Sequence, residues 1–116
     1  MENTHYFYEK GEVQILEAYN FLYEIENKEI LRATIFQIEK GFTNFVVDFS
    51  GMTYINSVGL SFIINLMLKV NEASGKLVLV NVNKTIVKLM IITKVYSMFQ
   101  LENSIEKAIN FISENK

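Results

Sequence analysis

Residues 44–71 read NFVVDFSGMTYINSVGLSFIINLMLKVN, and the fold follows from how that stretch divides. Phe45, Val46, Val47 and Phe49 make a short apolar run. Such a run suits a strand covered on both faces, because a half-exposed strand shows alternating polar residues. Ser50-Gly51 supplies a turn, and a helix is expected to begin at Ser57. From there Leu60, Ile63, Ile64, Met67 and Val70 recur on one side, while Ser57, Ser61, Asn65, Lys69 and Glu72 share the other.

Downstream, Gly75 is expected to stop that helix in the left-handed conformation glycine adopts without a side-chain clash. Lys76–Val80 reads as a second buried strand. Thr85 to Val95 reads as a helix with Ile86, Leu89, Met90 and Thr93 inward, and Met98–Leu101 as a last strand. Asn103 followed by Glu106 has the spacing of a capping box before a final helix carrying Ile105, Ala108, Ile109 and Ile112. Upstream, Tyr6–Tyr8 and Val13–Leu16 read as a hairpin turning at Lys10-Gly11, with Tyr19 and Asn20 in a loop. A helix from Asn27 carries Ile30, Leu31, Thr34, Ile35 and Ile38 and stops at Gly41. This order predicts one α/β domain over residues 1–116, with a mixed, mostly parallel sheet, the Asn44–Phe49 and Lys76–Val80 strands adjacent, and helices mainly on one face.

Composition narrows the function. With 50% hydrophobic residues, the 116-residue chain has the makings of a single core. Eleven basic against 13 acidic residues, a net charge of −2, give no reason to expect nucleic acid. There is no cysteine and one histidine, His5, so the usual metal cage and a serine-histidine-carboxylate triad both lack parts. Asp48 is the sole aspartate, too few carboxylates for a phospho-acceptor site holding a divalent cation. No glycine-rich nucleotide loop is present. The expectation is a non-enzyme without cofactor or metal. The start lacks the shape of a signal peptide and no stretch is long enough to span a bilayer, which points to the cytoplasm.

The remaining signal is the helix start. Small uncharged groups at Ser57, Ser61 and Asn65, bordered by Val58 and Phe62, suit docking to another protein, since little charge must be desolvated. The plainer alternative is that Asn56 or Ser57 is an N-cap and Val58 and Phe62 are ordinary half-buried residues.

The segment VVDFSGMTYINSVGLSFIINLM resembles the signature of STAS domains, the bacterial anti-sigma factor antagonists: an aliphatic strand ending Asp-Leu-Ser, then Asp-Ser-Ser-Gly-Leu and an apolar helix. KLVLVNV and the terminal SIEKAINFI extend the resemblance across the chain. It places Asp48 at the strand-end aspartate, Ser57 at the phosphorylated serine and Gly59 at the glycine. Asn56 and Val58 depart from the family's aspartate and second serine, removing a charge and a hydroxyl beside the acceptor. The resemblance implies a switch. The unphosphorylated domain binds an anti-sigma factor that is also a serine kinase, phosphorylation of Ser57 releases it, and a phosphatase of the PP2C type resets it. The partner surface so implied comprises Asn56, Ser57, Val58, Gly59, Ser61, Phe62 and Asn65, with Asp48 and Thr53 next to the phosphosite. Two other roles stay open: a STAS adaptor subunit of a membrane transport complex that is never phosphorylated, or a small-ligand sensor with a pocket near Asp48 and Thr53.

Overall fold

A computed structural model describes residues 6–19, 21 and 23–115; His5 and Asn20 lie outside them. Strands β1 (Phe7–Lys10) and β2 (Val13–Glu17) form an antiparallel hairpin. Its turn is Gly11-Glu12, one residue later than expected. Both take positive φ, 59° and 65°, as a two-residue turn matched to strand twist requires. Then follow α1 (Glu24–Glu39), β3 (Asn44–Asp48), α2 (Ser57–Glu72), β4 (Lys76–Val80), α3 (Lys84–Ile92), a single 3-10 turn at Tyr96–Met98, β5 (Gln100–Glu102) and α4 (Ile105–Glu114).

The five strands lie in strict sequence order, β1-β2-β3-β4-β5, with every pair after the hairpin parallel. Val46 sits opposite Val78 and Asp48 opposite Val80, so the two central strands are adjacent and parallel as expected. When each right-handed crossover advances the sheet in the same direction, all the crossover helices must fall on one face. The core shows this. Phe45, Val47, Phe49, Leu77 and Leu79 pack with Ile30 and Ala33 of α1, Leu60, Ile63 and Leu66 of α2, and Ile86 and Met90 of α3. Val46, Val78 and Val80 point the other way, onto Ala108 and Ile112 of α4. The apolar run in β3 is thereby explained: alternate residues feed two cores.

Several boundaries differ from the sequence reading. Helix α1 starts at Glu24, three residues before Asn27. Asn27 is buried, and its Nδ2 donates to the Phe21 carbonyl at 3.0 Å. Gly41 does stop α1, with φ 103°. At the end of α2 the left-handed residue is instead Ser74, with φ 61°. Ser104, rather than Asn103, caps α4 by accepting from the Lys107 N–H at 3.1 Å. Helix α3 ends at Ile92 rather than near Val95, and the last strand is Gln100–Glu102, shifted to follow the 3-10 turn.

Candidate functional site

Asp48 ends β3 at the carboxyl edge of the sheet. It is only 9% exposed, and its Oδ1 accepts from the Ser50 N–H at 3.0 Å and from Asn81 Nδ2 at 2.9 Å. The chain then crosses to α2 through a connection anchored by buried Phe49, Met52 and Ile55, while Thr53 and Tyr54 face solvent. The Phe49 N–H donates to the Val80 carbonyl at 2.9 Å, and the Met52 N–H to the Phe49 carbonyl at 2.9 Å.

Helix α2 opens on Asn56, whose Oδ1 accepts from the Gly59 N–H at 2.9 Å. The cap is therefore Asn56 and not Ser57. Ser57 occupies the first helical position, exposed, with its hydroxyl not needed for capping. With the Gly59 donor satisfied by the cap, the N–H groups of Ser57 and Val58 are left at the positive end of the helix dipole. An Asn56→Ala variant is expected to lose about 0.5–2 kcal/mol of stability, as caps of this kind do, measurable as a lower urea midpoint. An unchanged midpoint would show that the Gly59 N–H is satisfied without it.

The expected polar stripe is present: Ser57, Ser61 and Asn65 are all exposed, and Val58 is half-buried beside them. Two residues assigned to the partner surface are placed differently. Phe62 is 6% exposed, its ring tilted against Phe21 with centroids 4.8 Å apart. Gly59 is buried where a Cβ would lie 2.7 Å from Ile55 and 3.2 Å from the Phe21 Cβ. Both support the helix from beneath; an aromatic at that spacing is read as border or as core only once the neighbouring helix is in place. Of the two residues expected beside the phosphosite, Asp48 holds the Ser50 N–H and Asn81 Nδ2, and the Thr53 carbonyl accepts from Asn83 Nδ2 at 3.0 Å.

What the sequence reading missed is that α1 lies beside this stripe. A groove of about 290 Å³ runs between α1 and α2; its α2 wall holds Ser57, Val58, Ser61, Phe62 and Asn65, and its α1 wall Glu24, Asn27, Lys28 and Leu31. Glu24, Lys28 and Leu31 are spaced by four and three residues, one helical stripe. That stripe is legible in the sequence, but nothing in the sequence places it beside Ser57. The groove is lined by apolar Leu31, Val58 and Phe62 and by buried Asn27, with small neutral groups on the α2 wall and one charge of each sign on the α1 wall. Among the described residues no three His, Cys, Asp or Glu side chains gather to hold a metal, and no helix is long and apolar enough to cross a membrane.

A sequential mixed sheet with three helices on one face, one on the other, and a capped polar helix start at its carboxyl edge is the architecture of a STAS domain. A model of the STAS domain family matches residues 7–108, and the chain belongs to that family. Among solved structures, TM1081 of Thermotoga maritima, a candidate anti-sigma factor antagonist, superposes with a TM-score of 0.80 at 18% identity over 92% of each chain. SpoIIAA, an anti-sigma factor antagonist solved in its unphosphorylated form, gives 0.68 at 17% identity, over 92% of this chain and 97% of its own. The murine anion transporter Slc26a9 gives 0.72 at 19% identity, over 93% of this chain but only 19% of the transporter. At such identities the likeness is one of fold. No curated protein matches the chain by sequence.

Proposed function

We propose that this chain is an anti-sigma factor antagonist of the bacterial cytoplasm. In the unphosphorylated form it binds a serine-kinase anti-sigma factor through the start of α2, which frees the sigma factor. The kinase phosphorylates Ser57, binding is lost, and a PP2C-type phosphatase restores the first state. The observation that carries this reading is the exposed Ser57 at the first position of α2, its hydroxyl relieved of capping by Asn56. A phosphoryl group there meets unpaired N–H groups and the helix dipole, worth about 0.3–1 kcal/mol at an exposed site, so the fold accepts it without strain. It also brings a charge of about −1.5 to −2 into a neutral stripe, enough to oppose docking to a surface fitted to the uncharged form.

Incubating the wild type and Ser57→Ala with the cognate kinase and ATP, and mapping phosphate by mass spectrometry, tests the switch. Phosphate is expected on Ser57 of the wild type and absent from the alanine variant. Ser57→Ala should keep its stability, since the cap is Asn56, and should still bind; Ser57→Asp should bind more weakly. A wild-type chain left unmodified by a demonstrably active kinase ends this reading. The adaptor role then takes its place, favoured by the fold likeness to part of the anion transporter Slc26a9. A small-ligand pocket near Asp48 and Thr53 has less support, because Asp48 Oδ1 and the Thr53 carbonyl already accept from Asn81 and Asn83.

A further inference from the structure

The connection from β3 to α2 carries Ser57 to its position, yet three of the hydrogen bonds that hold it come from two side chains in another part of the chain. Asn81, directly after β4, donates from Nδ2 to Asp48 Oδ1 at 2.9 Å, and so steadies the carboxylate that also accepts from the Ser50 N–H. Asn81 has φ 58°, a left-handed conformation that asparagine tolerates better than most residues, and the next asparagine, Asn83, follows two positions later. Asn83 uses both ends of its amide. Its Oδ1 accepts from the Ile86 N–H at 2.9 Å and so caps α3, while its Nδ2 donates to the Met52 carbonyl at 3.2 Å and to the Thr53 carbonyl at 3.0 Å. A primary amide has two N–H donors and one acceptor oxygen, so one side chain can serve the helix and the neighbouring connection at once.

Beyond these contacts the connection is held by buried Phe49, Met52 and Ile55, by the Phe49 N–H on the Val80 carbonyl and by the Met52 N–H on the Phe49 carbonyl, while Gly51, Thr53 and Tyr54 are exposed. Thr53 lies three residues before the Asn56 cap. A shift of the 52–53 peptide is therefore transmitted to Asn56, to the Gly59 N–H it accepts from, and to the presentation of Ser57.

We propose that Asn83, seconded by Asn81, is a positioning residue for the Ser57 site: from the β4–α3 connection it holds the 49–56 segment in the conformation that presents the start of α2 to the partner and the kinase. This rests on the reading of Ser57 given above. It adds that the competence of the site is set partly from α3, so that a ligand or partner pulling on the α3 N-terminus would loosen the Ser57 surface without touching it.

The two functions of Asn83 can be separated. Asn83→Asp keeps an oxygen to cap α3 but turns the Met52 and Thr53 carbonyls towards an acceptor. Asn83→Ser keeps a capping hydroxyl and is too short to reach them. In both variants the amides of Met52 and Gly59 are expected to exchange about tenfold faster than in the wild type, while Val87 in α3 and Val46 in β3 keep their protection and the urea midpoint stays close to that of the wild type. Affinity for the purified kinase-fold anti-sigma factor that retains the wild-type chain should fall about tenfold. A purely structural contribution would instead lower the midpoint and loosen α3 together with the connection. Unchanged exchange at Met52 and Gly59 overturns the proposal, as does faster exchange with undiminished affinity. Ser61→Arg, measured on the same partner, separates the two claims. If Ser61→Arg binds normally, the reading of the surface has failed. If it does not bind while Asn83→Asp and Asn83→Ser do, only the positioning role has failed.

Discussion

Ser61→Arg is expected to abolish partner binding while leaving the fold intact. Ser61 is exposed one turn into α2, between Ser57 and Asn65 on the neutral wall of the α1–α2 groove. Arginine is a better helix former than serine, and an exposed substitution away from caps and core usually moves stability by within about 0.5 kcal/mol. At an interface fitted to small uncharged groups, the same guanidinium must be desolvated without a partner or must hold the surfaces apart. Truncating one side of a buried charge pair costs about 2–5 kcal/mol, and an unpaired charge of this kind belongs in that range, a loss of at least about thirtyfold in affinity. Titration calorimetry beside urea unfolding reads both quantities. Wild-type affinity would move the interface off this stripe, whereas a large fall in the unfolding midpoint would mean that Ser61 faces inward.

Gly75→Ala is expected to be among the most destabilising single-methyl additions in the chain. A Cβ at this position would lie 1.7 Å from the Thr43 carbonyl oxygen and 2.7 Å from its carbon, and both are backbone atoms with no rotamer to escape into. The approach is enforced from both sides. The Gly75 N–H donates to the Val70 carbonyl at 3.0 Å to finish α2, and Asn44 Oδ1 accepts from the Lys76 N–H at 3.1 Å at the start of the β3–β4 pair. Relieving the overlap means separating β3 from β4 at that end, for which a loss of about 3 kcal/mol or more is reasonable. For a 116-residue domain, a loss of about 3 kcal/mol lowers the thermal midpoint by about 12 °C. Gly41→Ala is the informative contrast, because φ is 103° there but nothing lies within 4 Å of the new methyl. It should lose only the backbone strain, about 1–2 kcal/mol. Equal losses at the two positions would show that conformation, not contact, sets the need for Gly75.

Gly75 also shows where reading the residues in order stops. Both Gly41 and Gly75 follow an apolar-periodic helix, and the same helix-stop logic applies to each. It holds for Gly41. At Gly75 the left-handed position is taken by Ser74, and the glycine is required by the Thr43 carbonyl, more than thirty residues away. The α4 cap is displaced for a more local reason. Asn103 and Ser104 are both competent caps, and which one the helix uses depends on where β5 releases the chain.

The sequence by itself determined the element order, the parallel pairing of β3 with β4, the placing of the helices mainly on one face, and the exposed Ser57–Ser61–Asn65 stripe. These follow from period, run length and crossover handedness, which are properties of short segments or of their succession. Tertiary structure alone decided which residues meet across segments: that Phe62 lies against Phe21, that α1 supplies the second wall beside Ser57, and that Asn56 caps α2 while Asn83 reaches Met52 and Thr53. The physical reason is that an asparagine, a half-apolar stripe or a glycine is equally satisfied by many neighbours. The neighbour it receives depends on how distant elements pack, and that information is carried by no single stretch of the chain.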